Sequence, residues 1–218
     1  MSITAEDVIQ KAQAPKAIVI DRPKFETIAV HIKGVSPYVQ HKFSQKARQQ
    51  MMDKQRLGDQ AKKSRKRDAK DFEQTYKDAM HISREGWNGI PAPSFRNAMI
   101  SACRIVGFKM TLAKLSVFIE ADGFDSDGAP LVKLQGTPRV HEGYVRNETG
   151  VADVRWRPMW EEWSALVRIR YDANQFSATD VVNLLHRAGM QVGIGEGRPD
   201  SKNSAGMGWG MFAIEDGT

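Results

Sequence analysis

Two stretches of the chain alternate apolar and polar residues with a period of two. In residues 25–33, Ile28, Val30 and Ile32 alternate with Thr27, Ala29 and His31. In residues 164–171, Ala165, Val167, Ile169 and Tyr171 alternate with Leu166, Arg168 and Arg170. Successive strand side chains point to opposite faces, so each stretch predicts a strand with one buried face. Gly34 and Ser36-Pro37 end the first. Shorter apolar runs predict strands at 115–121, 131–134 and 210–215. Residues 137–146 and 151–157 read as the two halves of an arm.

Elsewhere the period is helical. After Ser94, a predicted N-cap, Phe95, Ala98, Met99, Ala102, Cys103 and Val106 fall on one face, and Gly107 closes the helix. Cys103 on that face reads as core, not nucleophile. Ser177 with Asp180 three residues on predicts a capping box. Val181, Leu184, Leu185 and Ala188 then face inward, with Gly189 as the C-cap. Further helices are expected at 5–13, from a Ser44 cap to Leu57 with Gly58 as stop, and around Phe72, Tyr76, Ala79 and Met80.

With the insertions set aside, the element order is βαββαβ, which makes the expected class α+β with a ferredoxin-like core. One domain is expected over 1–218. A basic helical insertion occupies 42–81, a β-hairpin arm 137–158 and a glycine-rich loop 193–210.

Composition narrows the setting. One cysteine in 218 residues excludes an intrachain disulfide framework and a cysteine-only metal cluster. An apolar share of 41% is too high for wholesale disorder. No run approaches the ~18 apolar residues of a membrane span. The first twenty residues lack the layout of a secretory leader. No membrane partner is expected, and a reducing, cytoplasmic location is.

Charge changes the picture more. Residues 42–70 hold eleven cations: Lys42, Lys46, Arg48, Lys54, Arg56, Lys62, Lys63, Arg65, Lys66, Arg67 and Lys70. Only Asp53, Asp59 and Asp68 oppose them, so the segment is +8 in a chain of +6 and the remainder is −2. Concentrated positive charge attracts a phosphate backbone, because each neutralised phosphate releases condensed counterions. A solvated helical face would carry the same run.

The glycine-rich loop reads GIGEGRPDSKNSAGMGWG, with Gly193, Gly195, Gly197, Gly206, Gly208 and Gly210. It has neither the order of a Walker loop nor the spacing and preceding strand of a dinucleotide fingerprint. Glycines let backbone amides approach a ligand, and Arg198 and Lys202 place positive charge beside them. In RWRPMWEEW, Trp156 and Trp160 stand near Arg155 and Arg157 as candidates for base stacking, and Trp209 joins them from the loop. Trp163, just before a strand, reads as core. Tyr38 and Phe43 stand beside His41 and Lys42, where the first strand would deliver the chain into a groove.

The five histidines show no metal-ligand spacing, and neither metal nor cofactor is expected. Asp122, Asp125 and Asp127 lack the glutamate of a calcium loop and read as a surface turn. No paired carboxylates or Ser–His–Asp set can be read from spacing.

Four pieces together carry a resemblance: IAVHIKGVSPYVQHKF (28–43), IPAPSFRNAMISA (90–102), RWRP before WSALVRIRY, and GIGEGRP…GMGWGMF. The chain resembles the RAMP superfamily of RRM-like RNA-binding proteins. It is similar to the backbone subunit of CRISPR effector complexes and to its stand-alone phage and prophage relatives. The resemblance implies a subunit that lines single-stranded RNA or DNA as a helical filament in a bacterial host cell. It also implies a groove that grips the strand and an arm wedged between bases. A role in phage recombination or replication is as open as RNA binding. The binding residues expected are His41, Lys42, Lys46, Arg48, Lys62, Lys63, Arg65, Lys66, Arg67, Arg155, Trp156, Arg157, Arg198, Lys202 and Trp209, with the six loop glycines. Because some members cut RNA with a histidine, a metal-independent endoribonuclease using His41 is the alternative. A phage module that occupies a host protein is the other.

Overall fold

The computed structural model describes residues 20, 22–43, 45–57, 71–146, 152–201 and 206–215. The helix expected at 5–13, the Ser44 cap, the Gly58 stop and the Lys62–Arg67 block lie outside the described residues.

The chain forms mixed antiparallel sheets with a few helices, which accords with the α+β class. Its elements run β1 (Phe25–Gly34), β2 (Tyr38–Val39), α1 (Gln45–Leu57), α2 (Phe72–Asp78), β3 (Gly89–Pro91), α3 (Ala92–Ala102) and α4 (Met110–Ser116). Then follow β4 (Val117–Glu120), β5 (Gly123–Phe124), β6 (Pro130–Gln135), β7 (Arg139–Arg146), β8 (Ala152–Trp160) and β9 (Ser164–Asp172). The chain continues through α5 (Ala178–Arg187), a π-helical turn (Ala188–Val192) and β10 (Phe212–Ile214).

Strand β1 lies between β10 and β9, antiparallel to both. The far edge of β9 is shared: β4 pairs with Arg168 to Tyr171, and β6 with Ser164 and Ala165. Strands β3 and β5 then pair with β6. A separate three-stranded sheet has the order β2-β8-β7. The alternation in β1 and β9 explains the layering. Val30, Ile32, Val167, Ile169 and Tyr171 are buried on the face covered by α3 and α5. Thr27, Ala29, His31 and Arg170 stay exposed on the other face.

Helix α3 buries Phe95, Ala98, Met99 and Ala102, the stripe expected from the sequence, and Cys103 beyond its end is buried too. Its start differs from expectation. Pro91 is the N-cap and Pro93 occupies the first turn, where a missing N–H costs nothing, so Ser94 is a helical residue. The capping box of Ser177 and Asp180 is formed at the start of α5.

Three further boundaries differ. Leu115 and Ser116 end α4, so the strand begins at Val117. The last strand is trimmed to Phe212–Ile214, because the Gly210 amide and carbonyl are bonded to Pro37 and Ile194. Gly189 does not end α5. It lies buried in the π-helical turn, where a Cβ would meet the carbonyl oxygen and ring of Phe212. A side chain is missing there because the helix extension lies directly on β10. The reversal falls at Gly193, with φ of 70°.

The Gly189→Ala variant is therefore expected to lose ~1–3 kcal/mol, the usual cost of forcing an atom into a packed site. Urea midpoints at constant m-value measure this, and an unchanged midpoint would reject the packing role of this glycine.

Candidate functional site

The glycine-rich loop, the β7/β8 hairpin and the chain after β2 converge on one side of the molecule. The loop is anchored from several directions. The Glu196 amide donates to the Val39 carbonyl (3.0 Å), Asp200 N to Val192 O (3.1 Å) and Gly210 N to Pro37 O (2.7 Å). All six loop glycines have positive φ. Gly195 shows why: a Cβ there would sit 2.6 Å from both the Tyr38 ring and the Val39 carbonyl. Among the described residues, the amides of Gly195, Gly197 and Gly208 make no backbone hydrogen bond.

Arg157 and His141 join the hairpin to the loop. Arg157 on β8 is buried, and its Nη1 donates to Glu196 Oε1 at 2.9 Å. His141 on β7 meets Trp209 edge-on, with ring centroids 5.1 Å apart.

Between this loop and α3 lies a cleft of about 320 Å³. Its walls include Pro91, Ala98, Val192 and Ile194, and its polar groups include Gln40, His41, His81, Ser94, Asn97 and Arg198. Gln40 is buried and fully used. Its Nε2 donates to the Gly89 carbonyl (2.6 Å) and to the Tyr38 hydroxyl (3.2 Å), and its Oε1 accepts from the His81 amide (2.9 Å). That triple bond pattern pins the floor of the cleft to β3 and to the end of α2.

Behind the floor lies a charged cluster. Asp125 is buried and accepts from the Asp127 and Ala129 amides at 2.9 and 2.8 Å and from Lys42 Nζ at 3.0 Å. Burial alone would raise its carboxyl, but the Ala129 amide and Lys42 together hold it below the ordinary carboxylate value. Asp127 takes a second bond from Arg48 at 2.8 Å. His81 Nδ1 stands 3.8 Å from Asp125 Oδ2 and is shut off from solvent. Burial, and then the Lys42 charge, push His81 down to about 4, so its imidazole is neutral at pH 7.

The candidate residues divide accordingly. His41 lines the cleft and is exposed. Lys42 and Arg48 are spent on Asp125 and Asp127. Lys46 lies within α1. Lys62, Lys63, Arg65, Lys66, Arg67 and Lys202 lie outside the described residues. Arg155 pairs with Asp153 at 3.2 Å. Trp156 packs on Phe72 (centroids 5.5 Å) and donates to Glu142, so its ring is engaged within the chain. Arg157, expected at the surface beside nucleic acid, is 4% exposed and holds the loop through Glu196. Arg198 lines the cleft and donates to the Gly195 carbonyl at 3.0 Å. Trp209 lies half-buried against Gly197.

Trp160 and Tyr38, two further aromatic candidates, are fully buried and pack on one another at 5.7 Å, which leaves neither ring for a ligand. Trp163 is core, as expected, and donates to the Ser36 carbonyl. Asp125 is likewise buried, where a surface turn was expected, because its carboxylate nucleates that turn from inside. Reading the sequence missed Gln40, His81, Asn97 and Glu196. Only Glu196, inside the glycine run, had a local cue; the others come from segments whose spacing carries no pattern.

No family model matches the sequence, and no curated protein matches it either. Among the described residues, no helix is long and apolar enough to cross a membrane. Among them, too, no group of three or more acidic, histidine or cysteine side chains is placed to hold a metal.

His81 and Asp125 both have lowered values in the folded chain, so both stabilise it above their ordinary range and cease to do so in acid. The His81 contribution, about 3 kcal/mol from a shift of 6.5 to about 4, is lost as pH falls through that window. Asp125 follows as pH falls below its ordinary 3.8. His81→Gln should flatten the stability profile between pH 6.5 and 4, read as urea midpoints across pH. A variant that keeps the wild-type slope would contradict the buried neutral histidine.

Proposed function

We propose that the chain binds single-stranded nucleic acid through its backbone and self-associates along the strand, without catalysis. The observation that carries this reading is the joint surface of hairpin and glycine loop beside the start of the basic 42–70 segment. Loop amides of Gly195, Gly197 and Gly208 stand ready for acceptor oxygens, and Arg198 lies among them. Strand order β10-β1-β9-β4, with α3 and α5 on one face, supports a ferredoxin-like (RRM/RAMP) core with a basic insertion and an arm. Phage recombination or replication, and a CRISPR-backbone-like binding of RNA, are the settings this reading proposes. The location it proposes is the bacterial cytoplasm.

Mobility-shift titrations with single-stranded DNA, single-stranded RNA and duplex over a salt series test it. Affinity should fall steeply and log-linearly with salt. Joint replacement of Lys63, Arg65, Lys66 and Arg67 by Glu should weaken binding at least tenfold and reduce the slope. Absence of binding at low salt would overturn the reading.

A metal-independent endoribonuclease is the second reading, favoured by one observation. His41 and His81 line the same cleft, so two imidazoles face one cavity. Chelator-resistant cleavage of labelled RNA, lost in both His41→Ala and His81→Ala, is the outcome this reading predicts. Intact RNA after prolonged incubation with the wild-type chain would exclude it.

A further inference from the structure

The cleft itself differs electrostatically from the surface around it. Its charged lining residues include Glu196, Arg198 and Asp200. Both acids are already matched: Glu196 by Arg157, and Asp200 by Arg104, whose Nη2 donates to both carboxylate oxygens at 2.7 Å. Lys42 and Arg48, behind the floor, are matched by Asp125 and Asp127. What remains inside is near neutral. The charge left over is that of Arg198, whose guanidinium is turned to the Gly195 carbonyl.

The rest of the lining has another chemistry. Most of its exposed lining is polar, and Pro91, Ala98, Val192 and Ile194 supply a smaller apolar part. Ser94, Asn97 and Ser101 stand at i, i+3 and i+7 on α3 and bring a row of groups that both donate and accept. Among the described residues, the Ser94 and Asn97 side chains make no hydrogen bond, so their capacity faces the cleft unused. His81 adds an uncharged imidazole with one nitrogen shut away against Asp125. An uncharged donor–acceptor edge, a small apolar floor and a volume near 320 Å³ match a planar heterocycle with hydrogen-bonding edges.

Resting on the strand-binding reading, we infer that this cleft seats an unstacked nucleobase of the bound strand, with its edge against Ser94 and Asn97. The phosphates then stay outside, on the Gly197 and Gly208 amides and the basic segment. Bases splayed from a single strand are read in this way, by stacking on side chains and by hydrogen bonds to their edges.

Fluorescence anisotropy with the full chain separates base from backbone. Two labelled strands of equal length are compared at one salt concentration, one with bases and one with abasic sugar–phosphate units. The intact strand should bind about tenfold more tightly, the usual size of a lost base contact. The double variant Ser94→Val, Asn97→Leu should weaken the intact strand about tenfold and leave the abasic one unchanged. Free nucleosides should compete with the intact strand where inorganic phosphate at the same concentration does not. Equal affinity for the two strands, or competition by phosphate as effective as by nucleoside, overturns the base pocket and leaves strand binding standing. Failure of both strands to bind at low salt overturns the strand-binding reading and this inference with it.

Discussion

The pairing of buried Arg157 with half-exposed Glu196 is the contact on which the site depends. Arg157 comes from the middle of a hairpin strand, and Glu196 from a loop forty residues later. The guanidinium side chain is 5% exposed, so its charge has almost no water to fall back on. Removing the glutamate would leave that guanidinium without its carboxylate partner. The pair therefore fixes where the loop can lie relative to the hairpin. His141 against Trp209 sets the same distance a second time. Once the loop is held there, Gly195 must pass against Tyr38 and Val39, and the cleft behind it takes its shape.

A second constraint acts on the other side of that cleft. Gln40 spans from the first strand's exit to His81 and β3, and Asp125 gathers Lys42 and two turn amides beneath them. Lys42 is the first cation of the basic segment. Its charge is thus used to plant the segment's root beside the cleft. The +8 of residues 42–70 is in this sense directional: the segment starts at the site.

The parts of this fold that were readable in the sequence are those set by local period. Alternation gave β1 and β9, the i, i+3, i+4 stripe gave α3, and Ser177 with Asp180 gave the start of α5. Boundaries failed where packing overrode local cues. Gly189 has the look of a helix stop, yet it is glycine because β10 runs directly beneath it. Trp160 sits among arginines and acids in sequence, yet it is core, because the end of β8 from Arg157 to Trp160 is covered on both faces. The cleft was illegible for a different reason. Its members Gln40, His81, Asn97 and Glu196 come from separate stretches, and only long-range pairing brings them together.

The central claim is that the strand lies on the joint surface of hairpin and glycine loop and is not held by the basic segment alone. Hydrogen exchange of the full chain, free and with a saturating single strand, tests this most directly. The account predicts slowed exchange in residues 193–201 and 206–210, together with the β7/β8 hairpin. A strand that binds while slowing exchange only within residues 42–70 would contradict it.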